Sequence, residues 1–131
     1  MLYEDYDARA KQVAACVDEG KYAEALQLLQ PLIDSDLSDI DKSMMCVNMA
    51  VVYEKLEQPE RALEWYDRGI VYEAIYLRCL VAEYKAAYLF KLKRFSECLS
   101  IFEELLPQGF QTEADKLRMR QNIESAKNAM R

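Results

Sequence analysis

Histidine is absent from the sequence, and its absence excludes much of ordinary enzyme chemistry. A chain without histidine has no Cys/His zinc site, no histidine general base and no Ser-His or Cys-His nucleophile pair. The three glycines, Gly20, Gly69 and Gly109, are too far apart to form a phosphate-binding loop. We therefore expect a protein that is not an enzyme and that holds no metal or cofactor.

Glycine and proline are scarce, with three of each in 131 residues. Strands connected by tight turns need many more of these residues, so most all-β folds are excluded. At 52% hydrophobic residues, the chain is long enough to bury a core without disulfides or metals. We expect a single all-α domain over residues 1–131.

Long apolar runs are also missing, since no stretch approaches the roughly 18 uncharged apolar residues of a membrane span. The first seven residues are acidic, which is unlike a secretory leader. The four cysteines are separated by 30, 33 and 19 residues and form no C-x-x-C pair. Cysteines in this pattern are typical of buried thiols in a reducing compartment, and we expect a cytoplasmic protein with no membrane partner.

The net charge of −6 is distributed unevenly along the chain. Residues 1–41 carry 10 acids and 3 bases (−7), residues 42–110 carry 10 and 9 (−1), and residues 111–131 carry 3 and 5 (+2). The overall negative charge disfavours nucleic acid as a partner. The gradient fits two interpretations: solvated helix faces, or ends that attract one another between copies or steer a charged partner.

An internal repeat is the strongest organising signal. Three segments align: GKYAEAL from Gly20, EQPERAL from Glu57 and KRFSECL from Lys93. Their small residues Ala25, Ala62 and Cys98 recur at intervals of 37 and 36, and a large apolar residue follows four positions later. A helical pattern of about sixteen residues precedes each segment. The repeating unit is therefore helix, tight turn, helix.

Helix packing explains the spacing in the middle unit. Cys46, Met49, Ala50 and Tyr53 follow i, i+3, i+4, i+7 spacing and form one stripe. Small residues let the antiparallel helices approach closely. The facing stripe of the second helix is formed by Ala62, Tyr66 and Gly69.

The chain as a whole predicts seven helices, near residues 4–19, 22–34, 39–56, 60–72, 74–92, 95–107 and 112–130. Ser38 with Asp41, and Thr112 with Asp115, have the spacing of capping boxes at helix starts. The last helix lies outside the repeat and carries a single apolar stripe, so we expect it to cover the end of the stack.

These residues resemble the tetratricopeptide repeat (TPR) family, whose pattern is L-G-x-x-Y on the first helix and A-x-x-x-F on the second. The middle unit matches with Met49-Ala50-x-x-Tyr53 and Ala62-x-x-x-Tyr66, and has Ala74 where the family has proline. The resemblance implies a right-handed superhelix of three antiparallel helix hairpins with a C-terminal capping helix. The repeats would span about residues 6–38, 39–74 and 75–110, and the capping helix residues 111–131.

The first helices of units two and three carry more apolar surface than a hairpin needs. A second stripe lies beside the packing stripe, and Ala10, Ala14 and Val17 occupy the equivalent line in unit one. In the resembling family the first helices line the concave surface, so the stripe would form an apolar groove for a peptide or a helix. Burial by the last helix or by superhelical curvature is the alternative. The candidate peptide-binding residues are Met44, Val47, Asn48, Val51, Leu80, Tyr84, Ala87 and Phe90.

The predicted function is that of a helical-repeat (α-solenoid) scaffold that binds a protein or peptide partner. Of the carboxylate clamp known in a subgroup of the resembling family, only Asn48 is matched, so peptide-tail binding of that type is not expected. The Asn48 amide has a donor and an acceptor, so it could hydrogen-bond the backbone of a guest. The alternative is that Asn48 faces solvent or bonds to a group within the protein. The alternative function is self-assembly into a homodimer or larger homo-oligomer.

Overall fold

A computed structural model describes residues 3–108 and 111–131, and in these ranges the chain forms seven α helices and no strand. The all-α prediction is confirmed. The chain divides into two compact units, unit 1 (Met1–Tyr76) and unit 2 (Leu77–Arg131). The helices are α1 (Tyr3–Asp18), α2 (Tyr22–Ile33), α3 (Asp39–Lys55), α4 (Pro59–Ala74), α5 (Leu80–Lys91), α6 (Phe95–Leu105) and α7 (Glu113–Ala129).

Unit 1 is built from consecutive helices that pack in sequence order, α1 on α2, α2 on α3 and α3 on α4. The small side chains of Ala50 and Ala62 let α3 and α4 approach closely. As a result, both alanines are fully buried in the hairpin. Tyr66 fills the space beside them, and its hydroxyl donates a hydrogen bond to the Glu54 carboxylate. The predicted packing of small residues against tyrosine in this hairpin is confirmed.

Unit 2 packs α5 on α6 and α6 on α7. Val81, Ala86 and Leu89 supply the buried face of α5, and Cys98 and Phe102 that of α6. The last helix, α7, contributes two fully buried side chains of its predicted apolar stripe, Met119 and Ala126.

The turns that join α1 to α2, α3 to α4 and α5 to α6 share one geometry. Each contains a residue in the left-handed region, namely Gly20 (φ 76°), Glu57 (φ 58°) and Lys93 (φ 61°). In each, the next N–H bonds to a carbonyl five residues back, at 2.8 Å (Lys21 to Cys16), 3.0 Å (Gln58 to Tyr53) and 2.9 Å (Arg94 to Leu89). This six-residue closure satisfies carbonyls that the ending helix leaves without partners. The local structure thus repeats at the 37- and 36-residue intervals of the sequence.

Both predicted helix starts are capped, but only the cap at Thr112 is a complete capping box. Ser38 accepts a hydrogen bond from the Asp41 backbone N–H at 3.2 Å. Thr112 accepts from the Asp115 N–H at 3.0 Å, and the Asp115 carboxylate accepts from the Thr112 N–H at 3.2 Å. These bonds fix the starts of α3 and α7 because they satisfy N–H groups that have no partner within the helix.

The prediction for the fifth helix was wrong at its start. It was expected over residues 74–92, but α4 continues to Ala74 and α5 begins at Leu80. Leu77 between them has φ 54°, a left-handed conformation that cannot belong to a right-handed helix. No glycine or proline marks this break, so the apolar pattern looked continuous. The predicted end of the third repeat, at residue 110, lies outside the described residues.

Candidate functional site

A pocket opens in unit 1 between α1 and α3, with a volume of about 210 Å³. We call it the α1–α3 pocket, and it is lined by Ala10, Val13, Ala14, Val17, Asp18, Asn48 and Val51. Five of these seven side chains are alanine or valine, so the pocket is mainly apolar. Val13 is 3% exposed and belongs also to the core of the unit.

Helix periodicity brings these residues together. Ala10, Ala14 and Val17 lie at i, i+4 and i+7 on α1, and hence on one face of that helix. Asn48 and Val51, three residues apart on α3, complete the opposite wall. Near the start of α1, burial raises the pKa of Tyr6, and the Asp41 carboxylate raises it further. Helices α1 and α3 therefore line the same pocket.

Two polar side chains belong to this otherwise apolar pocket. The Asn48 amide nitrogen lies 3.9 Å from the Met45 sulfur, a weak hydrogen bond that leaves the amide able to bond a guest. Asp18, the last residue of α1, is exposed, and its carboxylate has no hydrogen-bond or ion-pair partner in the described part of the chain. The pocket thus combines an apolar wall with one amide and one negative charge.

Unit 2 has a comparable pocket of about 300 Å³ between α5, α6 and α7. We call it the α5–α7 pocket, and it is lined by Glu83, Ala86, Ala87, Phe90, Cys98, Phe102, Asn122 and Ser125. Phe90 is 39% exposed and packs edge-to-face on Phe95, with ring centroids 5.1 Å apart. This contact holds the Phe90 ring in place at the pocket.

A set of ion pairs joins α7 to α5. The Arg118 guanidinium donates to both Glu83 carboxylate oxygens, each at 3.0 Å, and to Asp115 at 3.0 Å. These bonds raise the pKa of Arg118 above its usual range, with Glu83 the larger cause. Leu80 lies here, in a polar pocket of about 280 Å³ with Arg118 and Cys79. Leu80 therefore does not line the α5–α7 pocket, although Glu83 lines both pockets.

The predicted peptide-binding residues divide between the two units. Asn48 and Val51 share the α1–α3 pocket, while Ala87 and Phe90 share the α5–α7 pocket. The prediction that Val47 contacts a peptide was wrong. Its side chain is only 5% exposed and belongs to the interior of unit 1. A valine on a helix that is apolar nearly all round can face either way, and the sequence pattern could not decide between them.

Met44 and Tyr84 are accessible but line none of these three pockets. Met44 is half-buried, and Tyr84 is 43% exposed. Both remain available as surface contacts next to the pocket residues of their own helices.

Sequence reasoning missed several lining residues. Asp18 follows Ala14 by four positions and so continues the line of Ala10 and Ala14, but a charged residue does not belong to an apolar stripe. Asn122 and Ser125 of α7 gave no such signal, because polar residues on a terminal helix are typical of a solvated face.

Cys46 and Cys98 have the environment of structural thiols. Burial raises the pKa of the Cys46 thiol to about 11 and also raises that of Cys98. Thiols with raised pKa values are poor nucleophiles at neutral pH. Cys79 is half-buried, and the Gln111 amide nitrogen lies 3.3 Å from its sulfur. Within residues 3–108 and 111–131, no group of three or more Cys, Asp or Glu is arranged to hold a metal ion.

Comparison with known proteins gives a family match. A family model described as "Domain of unknown function (DUF6340)" matches residues 11–99, a span that begins in α1 and ends in α6. No curated protein matches the chain. Among the described helices, none combines the length and apolar character needed to cross a bilayer.

Proposed function

Because the chain belongs to the family described as "Domain of unknown function (DUF6340)", whose description names no activity, we propose its function from the geometry of its pockets. The protein is a non-enzymatic interaction module that binds a peptide or helix of another protein on the apolar faces of its first helices. It needs no cofactor, acts in the cytoplasm, and binds neither nucleic acid nor membrane.

The proposed architecture is a TPR-like right-handed superhelix of three hairpins, with α7 as the capping helix. Its support is the shared geometry of the turns at Gly20, Glu57 and Lys93, which accompanies the sequence repeat. In this architecture α1, α3 and α5 are the helices that line the concave surface.

One observation carries the proposal: in each unit an apolar pocket opens beside a first helix, and the unit's own side chains leave it unfilled. Val51 is only half-buried in the α1–α3 pocket, and Ala87 and Phe90 are exposed at the α5–α7 pocket. Apolar side chains in concave sites on soluble proteins usually mark an interface. An amphipathic helix or an extended peptide has the spaced apolar side chains that would fill such pockets.

Selection from a random-peptide phage library on the immobilised full chain tests the proposal. We expect the wild-type protein to enrich a family of sequences with spaced apolar residues, and Val51→Asp to lose them, because a carboxylate would then face the apolar guest. Burying one valine-sized surface corresponds to about 2 kcal/mol, so the affinity should fall at least about tenfold.

The control is Leu117→Asp, which also replaces an apolar side chain by a carboxylate, at a position that is 56% exposed on α7 and lines neither pocket. It should retain the selected peptides, and both variants should keep wild-type helicity and melting temperature. Unfolding of Val51→Asp would mean that this side chain is core, and failure of the wild-type protein to enrich any peptide would refute peptide binding.

Self-assembly is the second candidate function, favoured by a separate patch on unit 1. Val71 and Ile75, 72% and 68% exposed, lie four residues apart at the end of α4, next to Tyr76 at 44%. Light scattering over a range of salt concentrations separates the cases. A salt-insensitive dimer supports an apolar seam, a salt-sensitive oligomer supports pairing of the acidic and basic ends, and a monomer supports guest binding.

A further inference from the structure

We propose that the α1–α3 pocket selects a partner peptide in which an aliphatic side chain is accompanied by a lysine or arginine. The aliphatic group would contact Ala10, Ala14 and Val51, and the cation would pair with Asp18. This inference rests on the proposed function and names the chemistry of the guest at one of its two pockets.

The size of the pocket points to a side chain as its occupant. Its volume of about 210 Å³ lies below the roughly 300 to 1,000 Å³ typical of small-molecule sites. Its apolar wall is formed by alanine and valine and offers no aromatic face for stacking. An aliphatic side chain is therefore the group that this wall fits best.

Asp18 gives the pocket its charge, and the local helix end adds to it. Asp18 is the last residue of α1, and the last turn of this helix contains no basic residue. A helix C-terminus carries a partial negative charge that usually attracts Lys or Arg, and here a carboxylate occupies the position instead. The Asp18 carboxylate and the negative end of the helix dipole both favour binding of a cation that does not belong to α1.

No basic residue in the described part of the chain forms an ion pair with Asp18, including Lys55 in the last turn of α3. Lys11 pairs with Asp7 at 2.9 Å, and Lys21 pairs with Glu19 at 3.0 Å. Arg9 is nine residues before Asp18, about 13 Å along the helix and beyond the screening distance of about 8 Å at physiological salt. With a net charge of −7 over residues 1–41, this part of the surface attracts basic peptides.

The test is a parallel phage selection on the wild-type chain and on Asp18→Asn, followed by fluorescence polarisation with an enriched peptide and its Lys→Gln or Arg→Gln analogue. We expect the wild-type selection to be rich in a base near an aliphatic residue, and the Asp18→Asn selection to keep the aliphatic residue and lose the base. Removing either charge should weaken binding about two- to fivefold, and removing both should cost little more than removing one.

Asp5→Asn is the control, because it makes the same change in charge on the same helix outside the pocket. The Asp18→Asn variant should fold, since it removes a charge that opposes the helix dipole. Enrichment of peptides without a base, or equal weakening by Asp5→Asn, would overturn this inference and leave peptide binding intact. A dimer in which a second copy covers the pocket would overturn it as well. No enrichment of any peptide would refute the proposed function itself.

Discussion

The left-handed turn residues offer a quantitative test of whether the three hairpin turns are physically equivalent. Gly20 adopts the left-handed conformation without strain, whereas Glu57 and Lys93 carry a Cβ in the same conformation. A left-handed backbone costs a residue with a Cβ about 1 to 2 kcal/mol. Glycine also gives the unfolded chain more conformational freedom, which lowers the free energy of unfolding by about 0.5 to 1 kcal/mol. Glu57→Gly and Lys93→Gly should therefore each stabilise the protein by about 0.5 to 1 kcal/mol.

Gly20→Ala is the matched reverse change and should destabilise by about 1 kcal/mol. A Cβ at Gly20 would meet no atom within 4 Å, so that loss would come from backbone conformation alone. Urea unfolding measures all three variants at unchanged m-values. The fluorescence of Trp65, the single tryptophan, reports on unit 1, and circular dichroism reports on the helices of both units. If Glu57→Gly or Lys93→Gly is destabilising, side-chain contacts outweigh conformation at that turn and the argument fails.

Two further predictions concern the core of unit 2 and the thiols. Met119→Ala should destabilise the protein by about 2 to 5 kcal/mol in thermal or urea unfolding, because it empties a fully buried site on α7. Met130→Ala, at a side chain that is 50% exposed, should lower the free energy of unfolding by less than about 0.5 kcal/mol. If the two substitutions destabilise the protein equally, α7 is not held by the packing of Met119. Cys79 should react with a thiol reagent in the folded protein before Cys46 and Cys98, as peptide mapping by mass spectrometry would show; simultaneous labelling would contradict their assigned burial.

The helices and their caps could be predicted from sequence because their signals are local. Ser38 and Thr112 bond to backbone groups only three residues away, so spacing along the chain determines both partners. The break before α5 could not be predicted in this way. It depends on Leu77 adopting a left-handed conformation that a residue with a Cβ disfavours, and no glycine or proline marks that position.

The candidate site was only partly predictable for a related reason. Helical spacing placed Val51 and Ala87 on accessible faces, but the same reasoning placed Val47 there, which is buried. On a helix with apolar residues nearly all round, the exposed face depends on which neighbours pack against it. Asp18 became a candidate only when α1 and α3 were seen to share a pocket with it.

The ion pairs of Arg118 make one wall of the α5–α7 pocket responsive to its ionic surroundings. Asn122 and Ser125 stand on α7, and Arg118 ties that helix to α5 through Glu83 at a surface where dissolved ions compete for the same charges. A kosmotropic salt such as sulfate weakens this tether by screening the charges and strengthens the burial of apolar groups. In such a salt, a guest in this pocket would meet an α7 that is held less firmly and a stronger apolar attraction. The salt dependence of its affinity would therefore report on the attachment of α7 as well as on the charge of the guest.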